Sequence, residues 1–274
     1  MSTPQNMDSK VLKEVARKAG AHLVGIASAE RFSSAPEGHK PSDILPNAKS
    51  VIVVGLRVPL SIVRTIPSPL YEEAYNYLND RLRSIIYDVT FYLEENGFDA
   101  IPISPDEPDY YREVKVIEGK EPKVKMLATF SHRHAAVLAG LGEFTPASYV
   151  VVPKFGPRVR FASVITSAPL EPDPIVANGF SWGLICKPEV CGLRCIKACP
   201  VKALPGDGTV DQYKCRRYRG PRVYTIEYFK KIEELRRKGI PSYIVKILLP
   251  SEYRSPSAHL CGLCLKACPI GIEM

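Results

Sequence analysis

Eight cysteines carry the chemistry this chain can do, and all of them fall between Cys186 and Cys268. They are Cys186, Cys191, Cys195, Cys199, Cys215, Cys261, Cys264 and Cys268. The first group reads CKPEVCGLRCIKACP and the last reads CGLCLKACP; each ends in Ala-Cys-Pro. Thiolates are soft ligands suited to iron–sulfur clusters and to zinc. Three closely spaced cysteines followed by a Cys-Pro form the run that holds paired [4Fe–4S] clusters, and the last cysteine serves the other cluster. Eight thiolates serve two such clusters with none left over.

The spacing has a physical reason. A cubane presents four irons at tetrahedral corners. Three thiolates from one short loop cap three corners, and the fourth comes from elsewhere in the chain. This assigns Cys186, Cys191, Cys195 and Cys268 to one cluster, and Cys199, Cys215, Cys261 and Cys264 to the other. Two readings compete. Four-cysteine zinc sites tolerate similar spacings. Disulfides belong to oxidising compartments, and MSTPQNMDSK at the N-terminus has no apolar signal core.

The elements that position these loops come from a chain of 274 residues with 45% hydrophobic content, enough for a real core. The longest apolar run, near Val51–Leu56, is far too short to span a membrane, so a cytoplasmic protein is expected. The formal charge is +8. Two clusters at about −2 each would bring it to about +4, so the basic balance is weak evidence for nucleic acid.

In order, the pattern predicts a helix over 8–19, a strand over 22–27 and a doubly buried strand over 51–56. A long helix follows over 71–96, then a strand over 100–103. Residues 105–127 read as a polar surface loop. A helix over 131–141 follows, capped by Ser131. Strands over 149–152 and 158–166 are expected to pair across the turn at Lys154–Pro157. The mix indicates an α/β sandwich over 1–178 and a cysteine-rich, ferredoxin-like domain over 179–274. Within the second domain, helices are expected over 225–238 and 242–249. No Gly-x-Gly-x-x-Gly turn points to nicotinamide.

HLVGIASAERF, PNAKSVIVVGLRVP, AGLG and the two-cluster module stand in an order that resembles epoxyqueuosine reductases and, more remotely, corrinoid reductive dehalogenases. The resemblance runs through most of the chain. It implies a nitroreductase-like α/β domain followed by a ferredoxin-like double [4Fe–4S] domain. It also implies a base-off cobalamin between the two, fed by the nearer cluster. A low-potential donor of ferredoxin or flavodoxin type would supply electrons for a small-molecule or protein-bound substrate.

The chain departs from those enzymes at several points. Their Asp-Thr-x-Pro turn has Met126 at the ungapped position. Their Gly-Trp-Ile-Gly-Lys-Asn is replaced by Gly142-Glu143-Phe144-Thr145-Pro146-Ala147. The helical repeats that grip tRNA are not present in the 274 residues, so tRNA is not expected as substrate.

Candidate groups in the first domain each have a plainer reading. His132 and His134 could donate the proton that reduction requires; the plainer role is a helix-start histidine bonded locally. Tyr110 and Tyr111 are phenols in the polar loop and could serve as acids; ordinary packing competes. Gly140 and Gly142 could let backbone approach a macrocycle, or could simply end a helix. Arg158 and Arg160 could face corrinoid carboxylates, or lie on a solvated strand. Arg216, Arg217 and Arg219 could offset cluster charge or dock an acidic donor. The competing function is an electron-transfer or reductive-activation partner with no turnover of its own.

Overall fold

The computed structural model describes residues 7–106, 112–118, 121–176, 181–219, 234–235, 237–240 and 259–271, with the backbone alone at 112–118, 121–126 and 217. Helix α1 (Ser9–Lys18) starts at Asp8, whose carboxylate accepts the Lys10 N–H at 2.7 Å, and it buries Leu12 and Ala16. Strand β1 (Leu23–Ser28) leads through a 3-10 turn and the short α2 (Pro41–Ile44) to β2 (Ser50–Arg57). After α3 (Leu60–Arg64) comes the long α4 (Pro69–Glu95), capped by the Ser68 hydroxyl. Its buried stripe of Tyr71, Leu78, Leu82, Ile85, Ile86, Val89 and Leu93 keeps helical spacing.

Strand β3 (Ala100–Ile103) precedes a hairpin of β4 (Arg112–Glu118) and β5 (Glu121–Leu127). Then come α5 (His132–Leu138), β6 (Glu143–Phe144), β7 (Val150–Val151) and β8 (Val159–Thr166). Among the described residues the cysteine-rich part holds four short helices: α6 (Pro188–Cys191), α7 (Arg194–Lys197), α8 (Gln212–Arg219) and α9 (Leu263–Lys266).

The main sheet runs β1-β2-β8-β3, and every neighbouring pair is antiparallel. Strand β2 is buried on both faces because both faces are covered. Ile52 and Val54 join α1 and α4 in one core with Leu12, Leu82 and Ile86. Val51 and Val53 join α5 and the β6–β7 pair in the other, with Ala135, Phe144 and Ile165. The strand period of two makes β8 serve both layers: Arg160, Ala162 and Val164 turn toward α4, and Phe161, Ser163 and Ile165 toward α5.

Two expectations are corrected. The stretch expected as a polar loop holds the β4–β5 hairpin. Its alternation (Val114, Val116; Val124, Met126) is a strand signal that the many charges obscured. The strands over 149–152 and 158–166 do not pair. Val152 and Gly156 bridge within the turn itself, β7 pairs back with β6, and β8 inserts between β2 and β3. The helices expected over 225–238 and 242–249 lie outside the described residues apart from the last turn of the first, where Lys238 pairs with Glu234.

Candidate functional site: two thiol quartets against the sheet layers

All eight cysteines are free thiols. Burial, then the thiols of Cys268, Cys191 and Cys195, then Glu143, push the Cys186 thiol up to about 12. Burial, then Cys261 and Cys215, push Cys264 up to about 12. Burial also raises Cys215; Arg219 opposes this, and Cys261 and Cys199 add to it. The Cys186 thiol thus has those of Cys268, Cys191 and Cys195 as neighbours, Cys215 those of Cys261 and Cys199, and Cys264 those of Cys261 and Cys215. Protonated thiols of this kind must lose protons to a metal, so loading would release acid.

The loops that present them are conformationally costly. Among the described residues, six non-glycine residues have positive φ, and five of these lie in the cysteine-rich part: Leu193, Lys202, His259, Leu260 and Cys261. Such residues each cost about 1–3 kcal/mol and persist where the surroundings over-determine them, commonly at functional sites.

Two residues from the β6–β7 region hold the Cys186 quartet. Glu143 is fully buried. Its Oε1 accepts the N–H groups of Gly183, Ile185 and Cys186 at 3.3, 2.7 and 2.5 Å, and its Oε2 accepts that of Leu184 at 3.1 Å. Four successive donors around one carboxylate form an anion nest. Tyr149 packs against both quartets. Its hydroxyl donates to the Cys264 carbonyl at 3.3 Å and lies beside the thiols of Cys195 and Cys268. Burial, then those cysteines, raise its pKa, so it stays a neutral donor.

The second quartet faces α4. Gly262 lies against Tyr71 and Ile66, and Lys266 donates to the Ile66 carbonyl at 2.8 Å. One turn beyond Cys215, half-buried Arg219 lies against Tyr75 and donates to the Leu260 carbonyl at 3.3 Å. Burial opposes its charge, but Tyr75, Cys215 and Tyr71 more than compensate. Tyr75 also carries Arg160 over its ring face, 3.7 Å from the centroid. Burial works to raise the Tyr75 pKa; the Arg160 and Arg219 guanidiniums outweigh it and hold the phenol below its ordinary value. Arg160 in turn donates to Asn79 Oδ1 at 2.7 and 3.0 Å, and Asn79 donates to Asp106 at 3.0 Å. A polar line thus runs from Cys215 through Arg219 and Tyr75 into the α4–β8 layer.

The other sequence candidates fall elsewhere. His132 uses both ring nitrogens inside the fold, at 2.8 Å from the Ser104 carbonyl and 2.9 Å from Ser163 Oγ. Burial holds its pKa down to about 4, so it is neutral at pH 7 and does not offer the acidic proton expected of it. His134 bonds Ser131 Oγ at 2.6 Å and packs on Phe144 at 4.9 Å, as a helix-start histidine. A Cβ on Gly140 would overlap the Pro174 carbonyl oxygen, and one on Gly142 that of Val151. The close approach these glycines permit is to the chain's own backbone. Arg158 is buried and donates to the Gly271 and Val58 carbonyls, tying the C-terminal segment to the sheet. Of the expected basic run, Arg219 is half-buried, with its guanidinium engaged by Tyr75 and the Leu260 carbonyl. Tyr110 and Tyr111 lie outside the described residues.

Sequence reasoning did not single out Glu143, Tyr149 or Tyr75. A lone carboxylate inside LGEFTPASYVVV signals a buried charge with dedicated donors. Tyr75 sits on the apolar stripe of α4 and carries no such signal.

No family model matches the chain. It is 26% identical over 239 residues to a tetrachloroethene reductive dehalogenase of Desulfitobacterium hafniense, covering 72% of this chain and 38% of that protein. It is 23% identical over 230 residues to the epoxyqueuosine reductase of Bacillus subtilis, covering 74% of this chain and 53% of that enzyme. The chain is a relative of both groups. Solved structures agree. An epoxyqueuosine reductase with a tRNA stem loop superposes with a TM-score of 0.57 at 18% identity, over 96% of this chain and 65% of that one. A reductive dehalogenase whose structure suggests a mechanism for B12-dependent dehalogenation gives 0.53 at 19%, over 77% and 28%. These likenesses establish the mixed α/β fold. The chain spans about half or less of the length of these curated relatives.

Proposed function

We propose that the chain is an iron–sulfur reductase with two [4Fe–4S] clusters, held by Cys186, Cys191, Cys195 and Cys268 and by Cys199, Cys215, Cys261 and Cys264. The gathering of the thiols into two sets of four supports this. Among the described residues, no three His, Cys, Asp or Glu side chains converge on a single metal ion. A zinc site would draw four sulfurs to about 2.3 Å of one ion; a cubane holds its thiolates farther apart. The clusters supply single electrons when bound. On this reading residues 1–178 form the substrate domain, nitroreductase-like in kind, and 179–274 the ferredoxin-like domain.

The observation that carries the reductase reading is the Tyr75 phenol between Arg160 and Arg219, one side-chain contact from Cys215. Reduction of an organic substrate needs a proton for each bond cleaved. Tyr75 is placed to give that proton, and the two guanidiniums stabilise the phenolate left behind. This role replaces the one expected of His132.

The corrinoid implied by the resemblance does not fit the residues offered for it. Gly140 and Gly142 contact the chain's own carbonyls, and Arg158 is used on Gly271 and Val58. No step is assigned to such a group. The same observation favours a second reading, an electron-transfer or reductive-activation partner without small-molecule turnover.

Anaerobic assays separate the two, with tetrachloroethene and an epoxyqueuosine-modified tRNA stem loop as probes suggested by the relatives. Reduction of either by the wild type, lost in Tyr75→Phe with iron content unchanged, supports the reductase. No turnover of either probe, with full clusters and reduction of a protein partner, supports the alternative. Activity retained in Tyr75→Phe removes the proton role from that residue.

A further inference from the structure

The segment around α6 and α7 presents a distinctive face. Val190 is 78% and Leu184 64% exposed, the two most exposed large hydrophobic residues among the described residues. Trp182 is also exposed and packs beside Gly208. Exposed cations flank them in the chain. Lys187 lies between Leu184 and Val190 in the chain, Arg194 follows, and the Lys197 ammonium reaches over Gly192. From Ser181 to Gly206 the chain has four cations (Lys187, Arg194, Lys197 and Lys202) and one carboxylate, Glu189. The next carboxylate, Asp207, accepts from the N–H and hydroxyl of Thr209.

Beneath this face lies the Cys186 quartet. Cys186, Cys195 and Cys268 are buried, while Cys191 is only half-buried, between exposed Val190 and Gly192. A group held by these thiols would come closest to solvent at Cys191. Electron tunnelling falls steeply with distance, so a carrier gains most by docking there. A small apolar centre flanked by four cations and one carboxylate suits a transient redox encounter. Such interfaces lie below about 1,200 Å² and are steered by complementary charge.

We propose that the Leu184–Val190 face, with Lys187, Arg194 and Lys197, docks an acidic single-electron carrier protein over Cys191. The proposal rests on the cluster reading above and names the partner surface that reading lacked. It moves donor docking away from the arginines after Cys215, because the Arg219 guanidinium is engaged by Tyr75 and the Leu260 carbonyl.

The test is calorimetric titration of the anaerobically purified chain with an acidic flavodoxin and an acidic ferredoxin, at low and at high salt. Binding should weaken as salt rises. Lys187→Glu/Lys197→Glu should weaken it at least about tenfold and flatten the salt dependence. Val190→Asp should weaken it as well, and Lys18→Glu on α1 should not. The proposal is overturned if neither carrier binds at low salt, or if charge reversal leaves binding unchanged. It is equally overturned if only anionic phosphatidylserine vesicles bind the face. Iron and sulfide counts on the same samples separate the failures. Full clusters without salt-sensitive binding overturn the docking surface alone; a wild type lacking iron overturns the cluster reading and this proposal with it.

Discussion

The backbone N–H of Cys186 donates to Oε1 of Glu143 at 2.5 Å, so the first cysteine of the cysteine-rich part is anchored to the α/β layers by a buried carboxyl group. Glu143→Ala leaves that N–H without its acceptor, at a cost of about 1–3 kcal/mol for the buried donor. The expected outcome is loss of the Cys186 quartet's cluster, with iron falling from about eight to about four per chain. Glu143→Gln keeps an acceptor oxygen and should retain both clusters. With the negative charge gone, the midpoint potential of one cluster should rise in a spectroscopically monitored redox titration.

Tyr149 offers a finer adjustment. Its phenol touches both quartets and stays protonated. Hydrogen bonds toward cluster sulfurs raise reduction potentials. Tyr149→Phe should therefore lower the potential of at least one cluster without loss of iron. Two unchanged potentials would show that the hydroxyl serves only the Cys264 carbonyl.

His132 gives a pH dependence with a definite sign. Its folded pKa of about 4 lies below the ordinary value of 6.5, so the unfolded chain binds the proton more readily. The stabilisation is complete above about pH 6.5 and is lost as pH falls toward 4, by up to about 3 kcal/mol. Thermal unfolding followed from pH 7 down to pH 5 should show a falling Tm, with a shallower slope in His132→Gln. Equal slopes would mean that His132 is not the group responsible.

Arg158 joins the two parts of the chain through Gly271 and Val58. Arg158→Met removes charge-assisted hydrogen bonds worth about 1.5–3 kcal/mol. It should lower Tm and speed protease cleavage near the C-terminal segment while leaving substrate chemistry intact. If Arg158 instead gripped a carboxylate-bearing cofactor, cofactor binding would fall with little change in Tm.

Much of the scaffold was legible in the sequence. Asp8 and Ser131 cap helices, the apolar stripe of α4 keeps its period, and the unbroken run in β2 matches a strand covered on both faces. The pairing of β8 was not legible, because its partners β2 and β3 are far away in the chain and local turn signals at Lys154–Pro157 pointed to a nearer one. The β4–β5 hairpin was obscured for a different reason: lysines and glutamates alternate with its apolar residues. At the site, cysteine spacing singled out the eight thiols on which the proposed clusters rest. The roles of Glu143, Tyr149 and Tyr75 depend on what lies across the fold from them. Tyr75 reads as one more apolar residue of α4 until Arg160 and Arg219 arrive from β8 and α8.

The most direct test of the central claim is a metal inventory of the protein purified without oxygen. About eight irons and eight acid-labile sulfides per chain are predicted. Cys191→Ser and Cys261→Ser should each remove one of two distinct paramagnetic signals. Two zinc ions per chain with no sulfide would contradict the account.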